Sequence, residues 1–293
     1  MPSVTATVIQ WLLRTTGTYK KMFSGGPGFA EIQAQALSVP SAPSEKNRKA
    51  CAISFSEFQG RAVWTFDPKD GAAKGTMLYW HGGGYVYPAS EAHWDYLAYL
   101  AATHGIRSVA PLYPLAPMDE VGAITGFALD FYRNFVAAQA GAPFTMGGDS
   151  AGGGLTAATV MGARDAGLAL PARILLICPW LEANPNHPDQ PGIEPKDAIL
   201  TIRGIKEAAE MYAGAAGLAD PRVSPIHGDW SGLPPILSFG GGADILLPDA
   251  RALKAKLPAV DYVEGAGLMH DWPIFFFPES RAAQKRMAAF ISG

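Results

Sequence analysis

The segment Gly148-Asp149-Ser150-Ala151-Gly152-Gly153 is the sequence feature that most narrows the fold of this chain. It follows an apolar, strand-like run and precedes small residues that can open a helix, so Ser150 would stand on a sharp turn between the two. Such a turn needs neighbours without bulk, which Gly148 and Gly152 supply. A helix N-terminus also favours negative charge that develops beside it. The G-x-S-x-G spacing therefore predicts a nucleophilic serine raised above the end of a sheet.

A phosphate-binding loop is the alternative interpretation of this glycine-rich segment. A Walker loop requires a lysine before its final Ser or Thr, and the segment has none. Ser150 and Ala151 also break the G-x-G-x-x-G spacing of dinucleotide-binding folds. An earlier motif, His81-Gly82-Gly83-Gly84, fits the loop that offers backbone amides to an oxyanion in proteins with a serine elbow. The two motifs in this order favour the nucleophile more strongly than either does alone.

Strand-like and helix-like runs alternate along most of the chain. Residues 51–58 and 61–66 flank Gln59-Gly60 and predict a hairpin whose second strand is antiparallel. Further strand-like runs lie at 75–80, 106–110, 143–147, 173–178, 235–239 and 259–263. Several are almost continuously apolar, as in parallel strands that are buried on both faces. The pattern predicts an α/β fold with an eight-stranded, mostly parallel sheet flanked by helices, with the ligand beyond the carboxyl ends of the strands.

The chain of 293 residues is predicted to be a single domain with one core. Four apolar residues near the N-terminus share one face of a predicted amphipathic helix: Val4, Val8, Trp11 and Leu12. The alternation of strands and helices is interrupted over residues 181–217, where a Pro- and Asn-rich loop precedes a helix. We expect residues 1–45 and 181–217 to form a small helical cap over the site.

Composition and charge exclude several classes of function. Hydrophobic residues make up 48% of the chain, the formal net charge is −3, and no basic block is present, so nucleic acid is not an expected partner. We find no secretory signal and no apolar stretch long enough to span a bilayer, and therefore expect a cytoplasmic protein without stable membrane association. Cys51 and Cys178 lie in apolar runs without metal-ligand spacing, which predicts buried free thiols.

A serine nucleophile needs a base, and histidine is the expected one. In the chain order that accompanies a G-x-S-x-G elbow, the histidine comes last, which leaves His187, His227 and His270. His270 is favoured because it follows the last predicted strand, from where a loop can reach back over Ser150. His227, in a predicted surface turn, is the main alternative.

The base in turn needs an acid that orients it, and that acid should follow the penultimate strand. Asp244 comes after the run 235–239 and the glycines that follow it, so it is the predicted orienting acid. Asp249 is the alternative, although its position just after Pro248 is typical of a helix start.

An oxyanion hole is predicted from the backbone N–H groups of Gly83, Gly84 and Ala151. Loss of one such donor typically lowers the rate on the order of a hundredfold. His81 is expected to brace this loop rather than to titrate in catalysis. The residues expected to line a substrate pocket are Tyr85, Trp180, Leu181, Met211, Tyr212, Leu246 and Trp272, although side chains of these types more often belong to the core.

From the hairpin to the C-terminus, the chain resembles the hormone-sensitive-lipase-like branch of the α/β-hydrolases, the bacterial carboxylesterases. The resemblance is carried by the two glycine motifs and by Tyr113-Pro114-Leu115-Ala116-Pro117, Asp220-Pro221-Arg222-Val223-Ser224-Pro225, Leu233-Pro234-Pro235 and Met269-His270-Asp271-Trp272-Pro273. It implies a triad at the positions of Ser150, Asp244 and His270, and the same three oxyanion amides. It also implies hydrolysis of a small-molecule ester with a short acyl chain through an acyl-enzyme, with no metal and no cofactor.

The chain departs from the family pattern at two places. The family commonly has Tyr-Arg-Leu-Ala-Pro-Glu where this chain has Pro114 and Met118, so the Arg and Glu contacts of that loop are not expected here. The segment from Asp244 to Asp249 is one residue longer than usual and resembles a subgroup that includes acetyl hydrolases and monoterpene-lactone hydrolases.

Other functions on the same scaffold remain open at this point. A lactone hydrolase or an amidase would use the same triad. A dehydratase of this scaffold carries Thr at the nucleophile position, which Ser150 contradicts. A non-catalytic ligand receptor is the remote alternative, since known receptors of this fold have lost the histidine that His270 matches. The family also contains both monomers and homodimers.

Overall fold

Eight strands form the sheet in the computed structural model, which describes residues 1–39 and 41–293. They are β1 Ala52–Phe58, β2 Arg61–Asp67, β3 Gly75–Trp80, β4 Ile106–Pro111, β5 Thr145–Asp149, β6 Arg173–Ile177, β7 Ile236–Ala243 and β8 Asp261–Met269. Their order across the sheet is β1-β2-β4-β3-β5-β6-β7-β8. β2 runs antiparallel to β1 and β4, and the other neighbours are parallel. The predicted eight-stranded, mostly parallel α/β fold is therefore confirmed.

The helices cover both faces of this sheet. They are α1 Val4–Thr16, α2 Thr18–Met22, α3 Phe29–Ser38, α4 Glu45–Ala50, α5 Glu91–Tyr99, α6 Val121–Gln139, α7 Ala151–Asp165, α8 Gln190–Ile193, α9 Ile202–Ala213, α10 Leu247–Lys256 and α11 Pro278–Ser292. Successive side chains of a strand point to opposite faces, and in β3 all four side chains from Met77 to Trp80 are fully buried. The apolar runs of the central strands thus reflect burial on both sides.

The two glycine motifs lie side by side at the carboxyl edge of the sheet. β3 ends at Trp80, directly before His81, and β5 ends at Asp149, directly before Ser150. The two strands are parallel neighbours, with Trp80 opposite Gly148 in the register. Parallel pairing therefore brings together segments that are almost seventy positions apart in the sequence.

β7 and β8 are longer than the predicted runs 235–239 and 259–263. The glycines from 240 to 242, expected to follow the strand, lie inside it: Gly240 and Gly241 pair with β8, and a bulge lies between Gly241 and Ala243. A Cβ atom on Gly241 would lie 2.6 Å from a carbonyl oxygen of β8, so the missing side chain permits the close pairing. This extension places Asp244 and His270 directly after the ends of adjacent strands.

Side chains of the segment 181–217 form hydrogen bonds with the backbone of the N-terminal segment. The Thr201 hydroxyl donates a hydrogen bond to the carbonyl of Phe23, and the Glu207 carboxylate accepts from the Gly26 N–H at 2.8 and 2.9 Å. At Gly204 a Cβ atom would lie 1.8 Å from the Phe23 carbonyl oxygen, so only glycine permits this approach of α9.

The apolar face of α1 points away from the rest of the chain, which its periodicity does not predict. The four residues of this face are exposed: Val4, Val8, Trp11 and Leu12. The opposite face is buried at Ala6 and Gln10. The hydroxyl of Ser3, which caps α1, donates to Glu279 at 2.9 Å and ties the start of the helix to α11.

Two expectations from composition can be compared with the structure. Cys51 and Cys178 are free and buried, as predicted. Within residues 1–39 and 41–293, no helix combines the length and the hydropathy that crossing a bilayer requires.

Candidate active site

Ser150 occupies a strained backbone turn between β5 and α7. Its φ of +50° and ψ of −121° are rare for a residue with a side chain. The Ser150 N–H donates to the Ile177 carbonyl at 2.9 Å, and the Ser150 carbonyl accepts from the Trp180 N–H at 2.9 Å. These bonds to the chain at and just beyond the end of β6 hold the turn in its unusual conformation.

The glycines on either side of Ser150 are required by close backbone contact. A Cβ atom on Gly148 would lie 2.5 Å from the Trp80 carbonyl oxygen, and one on Gly152 would lie 2.0 Å from the same atom. A backbone oxygen cannot move aside as a flexible side chain can. The G-x-S-x-G pattern therefore reflects the tight packing of the turn against β3.

The N–H groups predicted to form an oxyanion hole donate no hydrogen bond to the described part of the protein. Among the described residues, the N–H groups of Gly83, Gly84 and Ala151 donate to no backbone or side-chain oxygen. Ala151 begins α7, where the first N–H groups of a helix have no intrahelical partner. Gly83 has a φ of +111°, and a Cβ atom there would lie 2.5 Å from the Tyr87 carbonyl oxygen.

Asp149, which the sequence analysis assigns no role, joins the two motifs. Its Oδ1 accepts hydrogen bonds from the Gly82 N–H at 3.0 Å and from the Tyr79 hydroxyl, and its Oδ2 lies 3.1 Å from His93 Nε2. Burial alone would raise the pKa of Asp149, but the positive charge of His93 and these hydrogen bonds lower it to about 2. Asp149 is therefore an ionised, fully buried anchor for the loop that follows β3.

His81 packs against residues that hold the same loop in place. Its ring stacks on Tyr113 at a centroid distance of 4.3 Å, and its Nδ1 lies 2.6 Å from the Gly82 carbonyl oxygen. Burial lowers the pKa of His81 to about 4, so the ring is neutral near pH 7. These contacts are those of a bracing residue.

His270 and Asp244 form a buried pair. His270 Nδ1 lies 2.9 Å from Asp244 Oδ2, and Asp244 Oδ1 accepts from the Leu246 N–H at 2.8 Å. Burial by itself would lower the pKa of His270, but the negative charges of Asp244 and Asp271 outweigh it and raise that pKa well above its usual value. Asp244 thus fixes the ring with Nε2 directed away from itself.

The alternatives for base and acid lie elsewhere. His227 is half exposed and pairs with Glu182 at 2.6 Å, and His187 is half exposed beside Asp189. Asp249 accepts hydrogen bonds from the N–H groups of Leu181 and Glu182 at 2.7 and 2.8 Å. Neither histidine lines the cavity that contains Ser150, and Asp249 does not contact His270.

Asp271 occupies the place beside His270 Nε2 that a triad would give to the serine. Its Oδ2 lies 3.1 Å from Nε2, while the described residues contain no hydrogen bond between Ser150 and His270. Its Oδ1 is buried without a partner. Sequence reasoning missed Asp271, although an acid next to a candidate base was a visible signal.

Ser150 and His270 line one small cavity of about 80 Å³. Its wall also includes Gly83 and Asp271, so the predicted nucleophile, the predicted base and one predicted oxyanion donor meet there. Much of the apolar wall comes from both segments expected to form the cap and from the chain after β8: Tyr19, Met22, Phe23, Ile199, Leu200, Ile274 and Phe275. The chain after β3 adds Tyr87, Pro88 and Ala92.

The seven residues expected to line the pocket lie outside this cavity: Tyr85, Trp180, Leu181, Met211, Tyr212, Leu246 and Trp272. Tyr85 and Tyr212 stack on each other at 3.6 Å, and Trp272 lines a separate cavity of about 390 Å³ beside Met1 and Pro2. Most of the seven are core residues, because apolar periodicity reports burial and not which surface a residue faces.

One group of side chains in the described part of the chain brings three possible metal donors together. Cys178 Sγ, a His270 nitrogen and an Asp271 oxygen lie within 4.8 Å of one another. Burial raises the pKa of the Cys178 thiol well above its usual value. His270 Nδ1 also faces Asp244. The group therefore overlaps the histidine–carboxylate pair described above.

Comparisons with known proteins agree with this geometry. Residues 77–274 match a family model described as the alpha/beta hydrolase fold. The chain is 32% identical over 226 residues to an acetyl-hydrolase of Streptomyces hygroscopicus, covering 74% of this chain and 75% of that protein. It is 30% identical over 215 residues to an ethyl acetate hydrolase of Pseudomonas putida, covering 68% of this chain and 66% of that protein. The crystal structure of an esterase from the bacterial hormone-sensitive lipase family superposes with a TM-score of 0.82 at 25% identity, covering 100% of this chain and 98% of that chain.

The sheet, the serine elbow and the family match define an α/β-hydrolase. Within that superfamily the chain belongs to the hormone-sensitive-lipase-like branch, and it is a carboxylic ester hydrolase.

Proposed function

We propose that the protein is a serine esterase for carboxylic esters with short acyl chains, in which Ser150, His270 and Asp244 form the catalytic triad. One observation carries the proposal: His270 Nδ1 lies 2.9 Å from Asp244 Oδ2 in a buried pair. His270 lines the same cavity as Ser150, whose backbone is strained. A base that is oriented in this way, on the same cavity as a serine held on an elbow, is the arrangement that acyl transfer requires.

In the acylation step, His270 Nε2 takes the proton of the Ser150 hydroxyl while Oγ attacks the ester carbonyl carbon. Asp244 holds the ring in the tautomer with the proton on Nδ1 and stabilises the imidazolium that forms. The carbonyl oxygen gains negative charge in the tetrahedral intermediate. The imidazolium then gives its proton to the leaving alcohol as the ester C–O bond breaks, and an acyl-enzyme remains.

The N–H groups of Gly83, Gly84 and Ala151 are the proposed donors to the developing oxyanion. They have no protein acceptor among the described residues, and the backbone holds them in place before substrate arrives. Pre-organised donors of this kind contribute most where charge develops in a dry site. In deacylation, His270 activates a water molecule against the acyl carbonyl, and Ser150 leaves with the returned proton.

A short acyl chain is supported by the size of the cavity. About 80 Å³ is far below the roughly 300–1,000 Å³ of pockets that enclose drug-sized ligands. We infer that residues 1–45 and 181–217 form the cap of a single domain, because Phe23 and Leu200 close the cavity from these two segments. The names of the two bacterial relatives, an acetyl-hydrolase and an ethyl acetate hydrolase, support the same size of acyl group.

The test is a set of initial rates on p-nitrophenyl esters from acetate to palmitate, with Ser150→Ala in parallel. We expect the short esters to react fastest and the variant to lose at least about 10³-fold in kcat. Ser56→Ala, at an exposed position on β1, is the matched control and should retain the wild-type rate. A Ser150→Ala protein with wild-type activity would overturn the proposal, and turnover of lactones or amides alone would replace esters as the substrate.

A further inference from the structure

His270 lies between two carboxyl groups, one at each ring nitrogen. Asp244 Oδ2 is 2.9 Å from Nδ1, and Asp271 Oδ2 is 3.1 Å from Nε2. Asp271 has a φ of +53°, a left-handed conformation that brings its side chain back beside the preceding residue. The second carboxyl group therefore sits at the nitrogen that has to accept the serine proton.

The distance at Nε2 requires a proton between the two groups. When Nδ1–H donates to Asp244, Nε2 of a neutral ring carries a lone pair. A carboxylate oxygen at 3.1 Å from that lone pair would be repelled, and the contact is favourable only if the ring is protonated or Asp271 is. In either case Nε2 is occupied and cannot take the proton of Ser150.

We propose that Asp271 keeps a proton on the His270 Nε2 side in the resting site, so that loss of this proton switches the esterase on as pH rises. The inference rests on the triad proposed above. On proton loss to solvent, the Asp271 carboxylate and the Nε2 lone pair repel each other, and the Ser150 hydroxyl becomes the remaining donor for Nε2. In this step the N–H or O–H bond that holds the proton breaks, its electron pair stays on Nε2 or on the Asp271 oxygen, and a water molecule takes up the proton.

The surroundings of the pair favour retention of the proton. The groups that face the pair from neighbouring elements are Tyr79 in β3, His93 in α5, Asp149 at the end of β5, Cys178 after β6, Asp197 before α9 and Asp244 after β7. Burial, with the carboxylates of Asp149 and Asp244, raises the pKa of Asp271 to about 7 although His270 lowers it. Among the cavity-lining residues of the described chain there is no Lys or Arg to offset this negative charge.

The first experiment compares the pH dependence of kcat/KM in wild type, Asp271→Asn and Asp271→Gly. Asn keeps the shape of the side chain without its charge, Gly removes the side chain, and both tolerate a positive φ. We expect the acidic limb of the profile to move to lower pH by about one unit or more in both variants, the range expected for loss of a nearby charge. Asp70→Asn, at an exposed position, is the control and should leave the limb in place.

A second readout does not depend on turnover. The ring nitrogens of His270 can be titrated by NMR in Ser150→Ala and in Ser150→Ala/Asp271→Asn proteins. The proposal predicts that the second protein loses the ring proton at a pH lower by about one unit or more. Equal titration curves, or an unchanged acidic limb in the active variants, would overturn the role of Asp271. Failure of the triad itself would show differently, as ester hydrolysis by Ser150→Ala.

Discussion

The carboxylate of Asp149 accepts a 3.0 Å hydrogen bond from the N–H of Gly82 and so connects the residue before the proposed nucleophile to the loop with the proposed oxyanion amides. The same carboxylate faces His93 on its other side. The position of the oxyanion loop relative to Ser150 thus depends on a fully buried charge.

Replacing Asp149 with Asn should lower kcat by roughly ten- to a hundredfold while the protein still folds. Asn can accept from Gly82 but has no charge to pair with His93, and a hydrogen bond to a charged group contributes about 1.5–3 kcal/mol. A displaced oxyanion donor accounts for the loss in rate. Steady-state kinetics and the Tm measure the two effects, with Asp165→Asn at the exposed end of α7 as control. A kcat equal to that of wild type would mean that the loop keeps its place without Asp149.

The acid of the triad can be identified by comparing Asp244→Asn with Asp249→Asn. Without a carboxylate at 244 the ring loses its preferred tautomer, and kcat should fall by about 10⁴-fold. Asp249 contacts the backbone of 181 and 182, so its variant should keep kcat within about tenfold of wild type, the limit expected for a residue without contact to the reacting groups. Comparable losses in the two variants would contradict the assignment of Asp244.

Gly152→Ala should destabilise the protein strongly. Its Cβ atom would overlap the Trp80 carbonyl oxygen at 2.0 Å, and overpacking of this kind costs about 1–3 kcal/mol or more. Gly126→Ala is the matched control, because it lies exposed within α6 with nothing within 4 Å of the new atom. There the substitution should raise stability by up to about 1 kcal/mol. Urea unfolding of both variants gives the comparison, and equal stability would refute the close contact at the elbow.

Asp249 should make the protein less stable as pH rises from about 4 to 8. Burial raises the pKa of Asp249 to about 8, whereas an unfolded chain releases that proton near pH 4. Between these values the folded state binds more protons than the unfolded state, so the free energy of unfolding falls with pH. Asp249→Asn removes this contribution. Urea unfolding at pH 5 and pH 8 should show a smaller decrease in the variant, and an equal decrease in both proteins would contradict a protonated Asp249.

Local sequence patterns predict the sheet and the elbow well, because short-range requirements determine both. The strands are apolar runs in the sequence because both of their faces are covered. Gly148 and Gly152 form a recognisable motif because the Trp80 carbonyl oxygen excludes a side chain at either position. Chain order then selects His270 and Asp244, since each directly follows a strand at the same edge of the sheet.

The wall of the cavity could not be predicted in this way. Phe23 and Leu200 both line the cavity although they belong to segments that are far apart in the sequence. The apolar periodicity of a segment does not predict such a contact. The exposed apolar face of α1 has a similar origin, since the tie between Ser3 and Glu279 helps to orient the helix. Asp271 was missed because its effect depends on a left-handed backbone conformation that aims it at its own neighbour.

Covalent capture of Ser150 tests directly whether this residue is the nucleophile. Diethyl p-nitrophenyl phosphate reacts with serines that a neighbouring base activates, and it leaves a stable phosphoryl group. We expect release of about one p-nitrophenolate per chain, loss of esterase activity in parallel, and a modified peptide that contains Ser150, with no reaction in Ser150→Ala. Loss of esterase activity without modification of Ser150 would contradict the assignment of Ser150 as the nucleophile.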